Sequence, residues 1–102
     1  MITGGAIYPM AEAEVKSRAR KILKEHGVFF IDIQGSRFTT AGAPDLVAII
    51  DGMFIALEFK TYRGRQSEDQ KMMERNIVDA GGLYFLPRSV KDVLDILALF
   101  GR

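Results

Sequence analysis

Apolar and polar positions alternate along the chain in blocks that have the period of a helix or of a strand. Three blocks have helical spacing, and four are short apolar runs rich in β-branched and aromatic residues. The predicted elements, in order, are a helix over 9–26, strands over 28–34, 46–50 and 54–59, a helix beginning after Ser67, a strand over 83–86 and a helix beginning after Ser89. The order α-β-β-β-α-β-α predicts an α/β fold.

Glycines and hydroxyl residues mark the ends of the predicted helices. Gly27 fits a C-terminal cap of the first helix, and Gly81-Gly82 ends the second. Ser67 and Gln70 have the spacing of a capping box at the start of the second helix. The strand after that helix is reached by a crossover, so it should pair in parallel with a strand of the antiparallel meander. A mixed central sheet with helices on both faces is therefore expected.

Two of the strands are joined by Asp51-Gly52, a dipeptide that favours a two-residue type I′ hairpin turn. Counting outwards from this turn places Asp45 opposite Glu58, and like charges in that relation destabilise a sheet. Lys60 lies two residues beyond Glu58 and so projects from the same face. Two facing carboxylates beside a lysine suggest a site for a hard cation with a basic group next to it.

Length and composition limit the class of protein. The 102 residues predict one domain over 1–102, and 48% apolar with 26% charged residues is typical of a folded domain. The first ten residues lack the basic and apolar regions of a secretion signal. No apolar run approaches the roughly 20 residues of a membrane span. We therefore expect a cytoplasmic protein that does not contact a membrane.

The inventory of metal ligands is narrow. The chain has no cysteine, and His26 is its one histidine. A zinc site of the usual nitrogen and sulfur ligands is therefore not expected. Any metal would be held by oxygen atoms, which favours magnesium, manganese or calcium.

The two carboxylates also have a structural interpretation. Asp45 follows Pro44 and could be a strand-entrance residue, while Glu58 and Lys60 could form an ion pair on one face of their strand. An ionised carboxylate buried without a partner costs several kcal/mol, roughly. The ion pair leaves Asp45 unexplained, whereas a divalent cation accounts for both carboxylates.

Two helical residues are further candidates with open alternatives. Glu12 extends the apolar stripe of the first helix, although an acid in a first turn also interacts favourably with the helix dipole. Gln70 shares its helix face with Met73 and Ile77 and could reach the sheet, or it could serve in the capping box alone. For Gln70 neither interpretation excludes the other.

Basic residues surround this acidic centre. The net charge of +1 gives no support to nucleic-acid binding by itself. Their distribution is more informative, because a basic rim is compatible with a phosphate-backbone ligand. A solvated charged surface would explain the same residues. The cluster consists of Arg37 before the hairpin and Arg63, Arg65, Lys71 and Arg75 after it.

Pro44-Asp45, twelve intervening residues and then Glu58-Phe59-Lys60 resemble the motif of the PD-(D/E)XK nuclease superfamily. With Glu12 and Gly42 before this motif, the latter two residues ahead of Pro44, and Gln70 after it, the pattern resembles the VRR-NUC (virus-type replication-repair nuclease) family. The resemblance extends from Glu12 to about Val93, in the family's α-β-β-β-α-β order. It implies a restriction-endonuclease-like core.

The resemblance also implies roles for these residues. Asp45 and Glu58 would bind Mg²⁺ or Mn²⁺ with the Phe59 carbonyl as a further ligand, and Lys60 would orient or deprotonate the attacking water. The site would be completed by Glu12 and Gln70, by direct contact or through water. From the distribution of basic charge, and not from the resemblance, the candidate DNA-binding residues are Arg37, Arg63, Arg65 and Lys71.

The implied activity is that of a metal-dependent, structure-specific DNA endonuclease that leaves a 5′-phosphate and a 3′-hydroxyl. Free-standing members of the family resemble viral or bacterial Holliday-junction resolvases, which act as homodimers on branched DNA. Here the first helix and the apolar tail 97–100 are candidate dimer surfaces. The alternatives are a flap or restriction-like nuclease and a catalytically inactive DNA-binding module.

Overall fold

The computed structural model describes residues 10–33 and 40–102. Its helices and strands follow the predicted order α-β-β-β-α-β-α. They are α1 (Glu12–Glu25), β1 (Phe29–Asp32), β2 (Leu46–Ile50), β3 (Met53–Leu57), α2 (Glu68–Asp79), β4 (Leu83–Phe85) and α3 (Val90–Leu99). Among the described residues, no helix is both long enough and apolar enough to cross a membrane.

The four strands form one mixed sheet in the order β1-β2-β3-β4. The first three strands are antiparallel, and β4 joins β3 in parallel after the crossover through α2. Asp51 and Gly52 have φ values of 53° and 81°, both positive as a type I′ turn requires. Ile50 pairs with Met53, and Leu46 pairs with Leu57 at the far end of the hairpin. The predicted register is therefore confirmed.

The main core lies between one sheet face and the two helices α1 and α3. The buried stripe of α1 packs with alternate residues of β2 and β3 and with α3. This follows from side chains that repeat about every 3.6 residues on one face of a helix and every second residue on one face of a strand. On the opposite face, Ile77 of α2 lies beside Phe54 and Gly82. The core consists chiefly of Val15, Ala19, Leu23, Leu46, Ala48, Ile50, Ile55, Leu57, Phe59, Val93 and Leu97. Both candidate dimer segments thus contribute side chains to the core.

Strand β3 ends at Leu57, two residues before the predicted end. Beyond Leu57 the Phe59 amide donates to the Asp45 side chain, 2.9 Å away, instead of to a main-chain carbonyl of β2. On the other side the Glu58 amide still donates to the Phe85 carbonyl at 3.0 Å. The regular ladder is therefore replaced by a side-chain contact at the point where the acidic residues lie.

The remaining boundaries differ by a few residues. Helix α1 begins at Glu12 and β1 covers Phe29–Asp32, and both predicted ranges extend into residues outside the described part of the chain. Strand β4 ends at Phe85, one residue before the predicted end.

Candidate active site

Asp45 and Glu58 lie directly beyond the Leu46–Leu57 pair that ends the β2–β3 hairpin. They are the buried acidic residues of the described chain, with 3% and 4% of their surfaces exposed. The Asp45 Oδ2 atom accepts the Phe59 amide, and its Oδ1 atom lies 3.1 Å from the Lys16 Nζ atom. The hairpin register thus brings the two predicted carboxylates to one place.

Glu58 belongs to a side-chain network with Lys60 and Gln70. The Gln70 Nε2 atom donates to the Glu58 Oε2 atom at 3.0 Å, and the Lys60 Nζ atom lies 3.4 Å from the same oxygen. Lys60 also donates to the Gln70 Oε1 atom at 2.7 Å. The amide of Gln70 therefore links the carboxylate to the ammonium group.

Gln70 has both of the functions that the sequence left open. The Ser67 hydroxyl oxygen accepts the Gln70 main-chain amide, and the Gln70 Oε1 atom accepts the Ser67 amide at 2.9 Å. This is a complete capping box. The Ser67 amide holds the Oε1 atom on one side of the Gln70 side chain, and the Nε2 atom on the other side donates to Glu58.

Burial raises the pKa of Glu58 from 4.5 to about 7, and the charge of Asp45 contributes to the same increase. The Lys60 ammonium lowers this pKa, and Glu12 raises it further. Near neutral pH the Glu58 carboxyl is therefore divided between its acid and its carboxylate. A cation close to both carboxylates would favour the ionised form.

Lys16 is a site residue that the sequence interpretation missed. It lies one helical turn after Glu12, and 12% of its side chain is exposed next to the 4% exposed side chain of Asp45. Its position directly after the buried residue Val15 was only a weak indication of a role in the site, because a residue at the edge of an apolar helix stripe can face either a cleft or solvent. That this edge meets Asp45 depends on how α1 crosses the sheet.

Asp45, Glu58, Lys60 and Gln70 line one cleft of about 490 Å³. Gly42 forms part of its wall with a φ of 79°, and a Cβ atom there would collide with the main chain of Asp69. A glycine is thus needed for the loop to approach the start of α2. The lining residues are Glu12, Thr40, Ala41, Gly42, Ala43, Asp45, Glu58, Lys60, Ser67, Asp69 and Gln70.

The donor set fits a hard divalent cation such as Mg²⁺ or Mn²⁺. The charge of Asp45 raises the pKa of the Glu58 carboxyl, both buried carboxylates face an open cleft, and carboxylate oxygens are the ligands such ions prefer. Among the described residues, no three His, Cys, Asp or Glu side chains form a metal cluster. Glu12 lines the cleft without forming such a cluster with Asp45 and Glu58, so its direct contact with a metal stays a prediction. The same holds for the Phe59 carbonyl.

The predicted DNA-binding residues occupy different places. Arg63 and Arg65 follow Lys60 in the loop before α2, and both are exposed. Lys71 is on α2 directly after Gln70, with 57% of its side chain exposed and its Nζ atom 3.6 Å from the Glu68 Oε1 atom. Arg37 lies outside the described residues.

Fold and cleft together define an α/β domain with a restriction-endonuclease-like core. Two solved structures have this fold. One, a "VRR_NUC domain", is 22% identical, has a TM-score of 0.73 and matches over 85% of this chain and 94% of that chain. The other, a "VRR_NUC domain protein", is 15% identical, with a TM-score of 0.75 over 91% of this chain and 89% of that chain.

At these identities the likeness establishes the fold, and the predicted resemblance to VRR-NUC proteins is confirmed at that level. The sequence matches no protein-family model and no curated protein at a significant level.

Proposed function

We propose that the protein is a metal-dependent, structure-specific DNA endonuclease that hydrolyses phosphodiester bonds, with a Holliday junction as substrate and a homodimer as its active form. The observation that carries this proposal is that Asp45 lies in one cleft with the hydrogen-bonded network of Glu58, Lys60 and Gln70. The likeness of the fold to VRR_NUC domains supports a nuclease.

Each member of the network has a role that follows from its contacts. Asp45 and Glu58 would hold Mg²⁺ or Mn²⁺, which when bound lowers the pKa of water and polarises a phosphate. The Phe59 amide and the Gln70 amide fix the orientation of the two carboxylates. Pre-oriented ligands avoid the cost of reorganisation when charge develops in the transition state.

Lys60 supplies positive charge beside Glu58. Its ammonium group is held 2.7 Å from the Gln70 Oε1 atom and 3.4 Å from the Glu58 Oε2 atom. A compact, strongly hydrated ammonium can hold an attacking water and stabilise the growing negative charge on a phosphate. With Asp45, Glu58 and Lys60 all present, a catalytically inactive DNA-binding module is the weaker interpretation.

The test uses labelled four-way junctions, flaps and continuous duplex, each with and without Mn²⁺. We expect the wild type to cut junctions with Mn²⁺ and Lys60→Met to reduce the rate by about 100-fold. The matched control is Lys91→Met, since Lys91 is 82% exposed and pairs with Asp95 on α3. This control should cut like the wild type.

Three outcomes would contradict the proposal. No cleavage of any substrate refutes the enzyme, and cleavage of flaps but not junctions refutes the junction assignment. Full activity of Lys60→Met refutes the assigned site. Sedimentation equilibrium tests the homodimer, because a monomer does not match the two-fold symmetry of a four-way junction.

A further inference from the structure

A tight turn over residues 61–64 follows Lys60 directly. The Gly64 amide donates to the Thr61 carbonyl at 3.1 Å and closes the turn. A Cβ atom on Gly64 would lie 2.8 Å from the Thr61 Oγ1 atom, so the turn leaves little room for a side chain at this position. The chain is thus folded back on itself immediately beside the cleft.

Arg88 clamps this turn from a distant part of the sequence. Its Nη1 atom donates to the Thr61 carbonyl at 2.7 Å and to the Gly64 carbonyl at 2.8 Å. The Arg88 amide in turn donates to the Asp92 Oδ2 atom at 2.8 Å in the first turn of α3. The turn is therefore tied to a helix whose Val93 belongs to the core.

The clamped turn holds an aromatic ring and positive charge in solvent. Tyr62 is 67% exposed, and the Arg63 guanidinium carbon lies 5.9 Å from the centroid of its ring. Arg65 and Arg88 join them around a cavity of about 470 Å³. An exposed ring adds little to folding, whereas a ring among guanidinium groups has the chemistry that binds an unstacked base and its phosphates.

The residue that carries the ring follows the cleft residue Lys60 closely in the chain. Tyr62 is two residues beyond Lys60, which limits the separation of their Cα atoms to about 7 Å. This is about two stacking steps along a DNA strand. Bases inside a continuous duplex are stacked on each other. A ring at this position could therefore stack on a base only where a strand leaves the duplex.

We propose that the turn 61–64 is a nucleotide platform on which Tyr62 stacks against an unstacked base near the scissile phosphate, while Arg63 and Arg65 bind the adjoining phosphates. Arg88 acts as a positioning residue that keeps the platform in place. The inference rests on the proposed function, because the ligand is a branch-point nucleotide of the DNA substrate.

The test measures binding alone, by fluorescence anisotropy in EDTA, where no metal is present. Two four-way junctions are compared, one intact and one with abasic sites at the branch nucleotides. The wild type should prefer the intact junction by roughly five- to hundredfold, because each stacked base contributes that much to affinity. Tyr62→Phe should keep this preference, and Tyr62→Ala should lose it.

Two further variants distinguish base stacking by Tyr62 from the loss of any exposed aromatic side chain and from the loss of the contacts that hold the turn. Phe29→Ala is the matched control, since Phe29 is a 65% exposed aromatic residue on the edge strand β1, and this variant should behave like the wild type. Arg88→Met should reduce the preference for the intact junction, and it should also weaken binding to the abasic junction, because the turn that Arg88 holds carries the phosphate-binding arginines. Tight junction binding by a wild type without base preference overturns the platform alone, as does an unchanged preference in Tyr62→Ala. A wild type that binds no junction in EDTA and cuts none with Mn²⁺ refutes the proposed function as well.

Discussion

The two ends of the β2–β3 hairpin each carry an aspartate next to the strand, and these aspartates lie in opposite environments. Asp51 is in the type I′ turn, with 71% of its side chain exposed and its Oδ1 atom 2.8 Å from the Arg102 Nη2 atom. Asp45 has 4% of its side chain exposed and is held by Lys16 and the Phe59 amide. The two residues differ in burial and in the kind of partner.

This difference distinguishes a residue that helps to form the hairpin, Asp51, from a residue that the hairpin positions in the cleft, Asp45. An exposed ion pair contributes about 0–1 kcal/mol, so Asp51 serves mainly through its backbone conformation in the turn. A buried charge costs several kcal/mol, roughly, even when it is paired, so Asp45 is a poor choice for stability alone. The turn fixes the register, and the register places Asp45 opposite Glu58 at the other end.

The largest effect expected from this comparison is on activity. Asp45→Asn preserves the shape of the side chain and an acceptor for the Phe59 amide, but it removes the charge that would hold a metal. We expect junction cleavage to fall by about 1,000-fold. Asp51→Asn should leave the rate unchanged, because asparagine also favours the positive φ of a type I′ turn.

Single-turnover cleavage with Mn²⁺ measures both variants, and thermal unfolding shows whether each is folded. A folded Asp45→Asn protein that cuts at the wild-type rate would contradict the assignment. A large loss in Asp51→Asn would show that the two ends are not functionally distinct.

The sequence predicted the local features and the register because each depends on neighbouring residues. Asp51-Gly52 specifies its turn whatever the rest of the fold does, and the opposition of Asp45 and Glu58 then follows by counting. Gln70 was a candidate through its cap, which is also local. The predicted end of strand β3 was wrong by two residues, because beyond Leu57 a side chain replaces the main-chain partner.

The long-range contacts of the site could not be predicted in this way. The Lys16–Asp45 pair joins residues 29 positions apart and depends on how α1 lies against the sheet. The Arg88 clamp joins α3 to a turn 27 and 24 positions earlier. The main-chain proximity of Gly42 to Asp69 likewise arises from the packing of a loop on α2. The types of these residues indicate what chemistry they can supply, but the sequence does not show which residues they contact.

The second prediction concerns pH and the acid opposite Asp45. The pKa of Glu58 in the folded state, about 7, lies above its ordinary value of 4.5, so the folded state binds the proton more tightly than the unfolded state does. The unfolding free energy of the metal-free protein should therefore rise as the pH falls from about 7 to about 4.5, by at most about 3 kcal/mol from this group. The contribution is absent above the folded pKa.

Urea unfolding in EDTA across this pH range measures the effect. The difference between the wild type and Glu58→Gln isolates this group from all others that titrate. Asp51→Asn should keep the pH dependence of the wild type. Parallel curves for the wild type and Glu58→Gln would contradict the raised pKa.

The smallest expected effect compares the two cations that pair with the two aspartates. Lys16 shares Asp45 with any metal bound there, so Lys16→Met should tighten Mn²⁺ binding by about 10-fold, since the ion then meets a carboxylate with less competing charge. Arg102→Met removes the exposed partner of Asp51 and should leave Mn²⁺ affinity unchanged, with stability altered by about 0.5 kcal/mol or less. Isothermal titration calorimetry with Mn²⁺ alone measures both affinities without reference to cleavage. Weaker Mn²⁺ binding by Lys16→Met would show that the lysine orients Asp45 for the metal instead of competing with it. An equal change in both variants would mean that the effect is one of net charge and not of the buried pair.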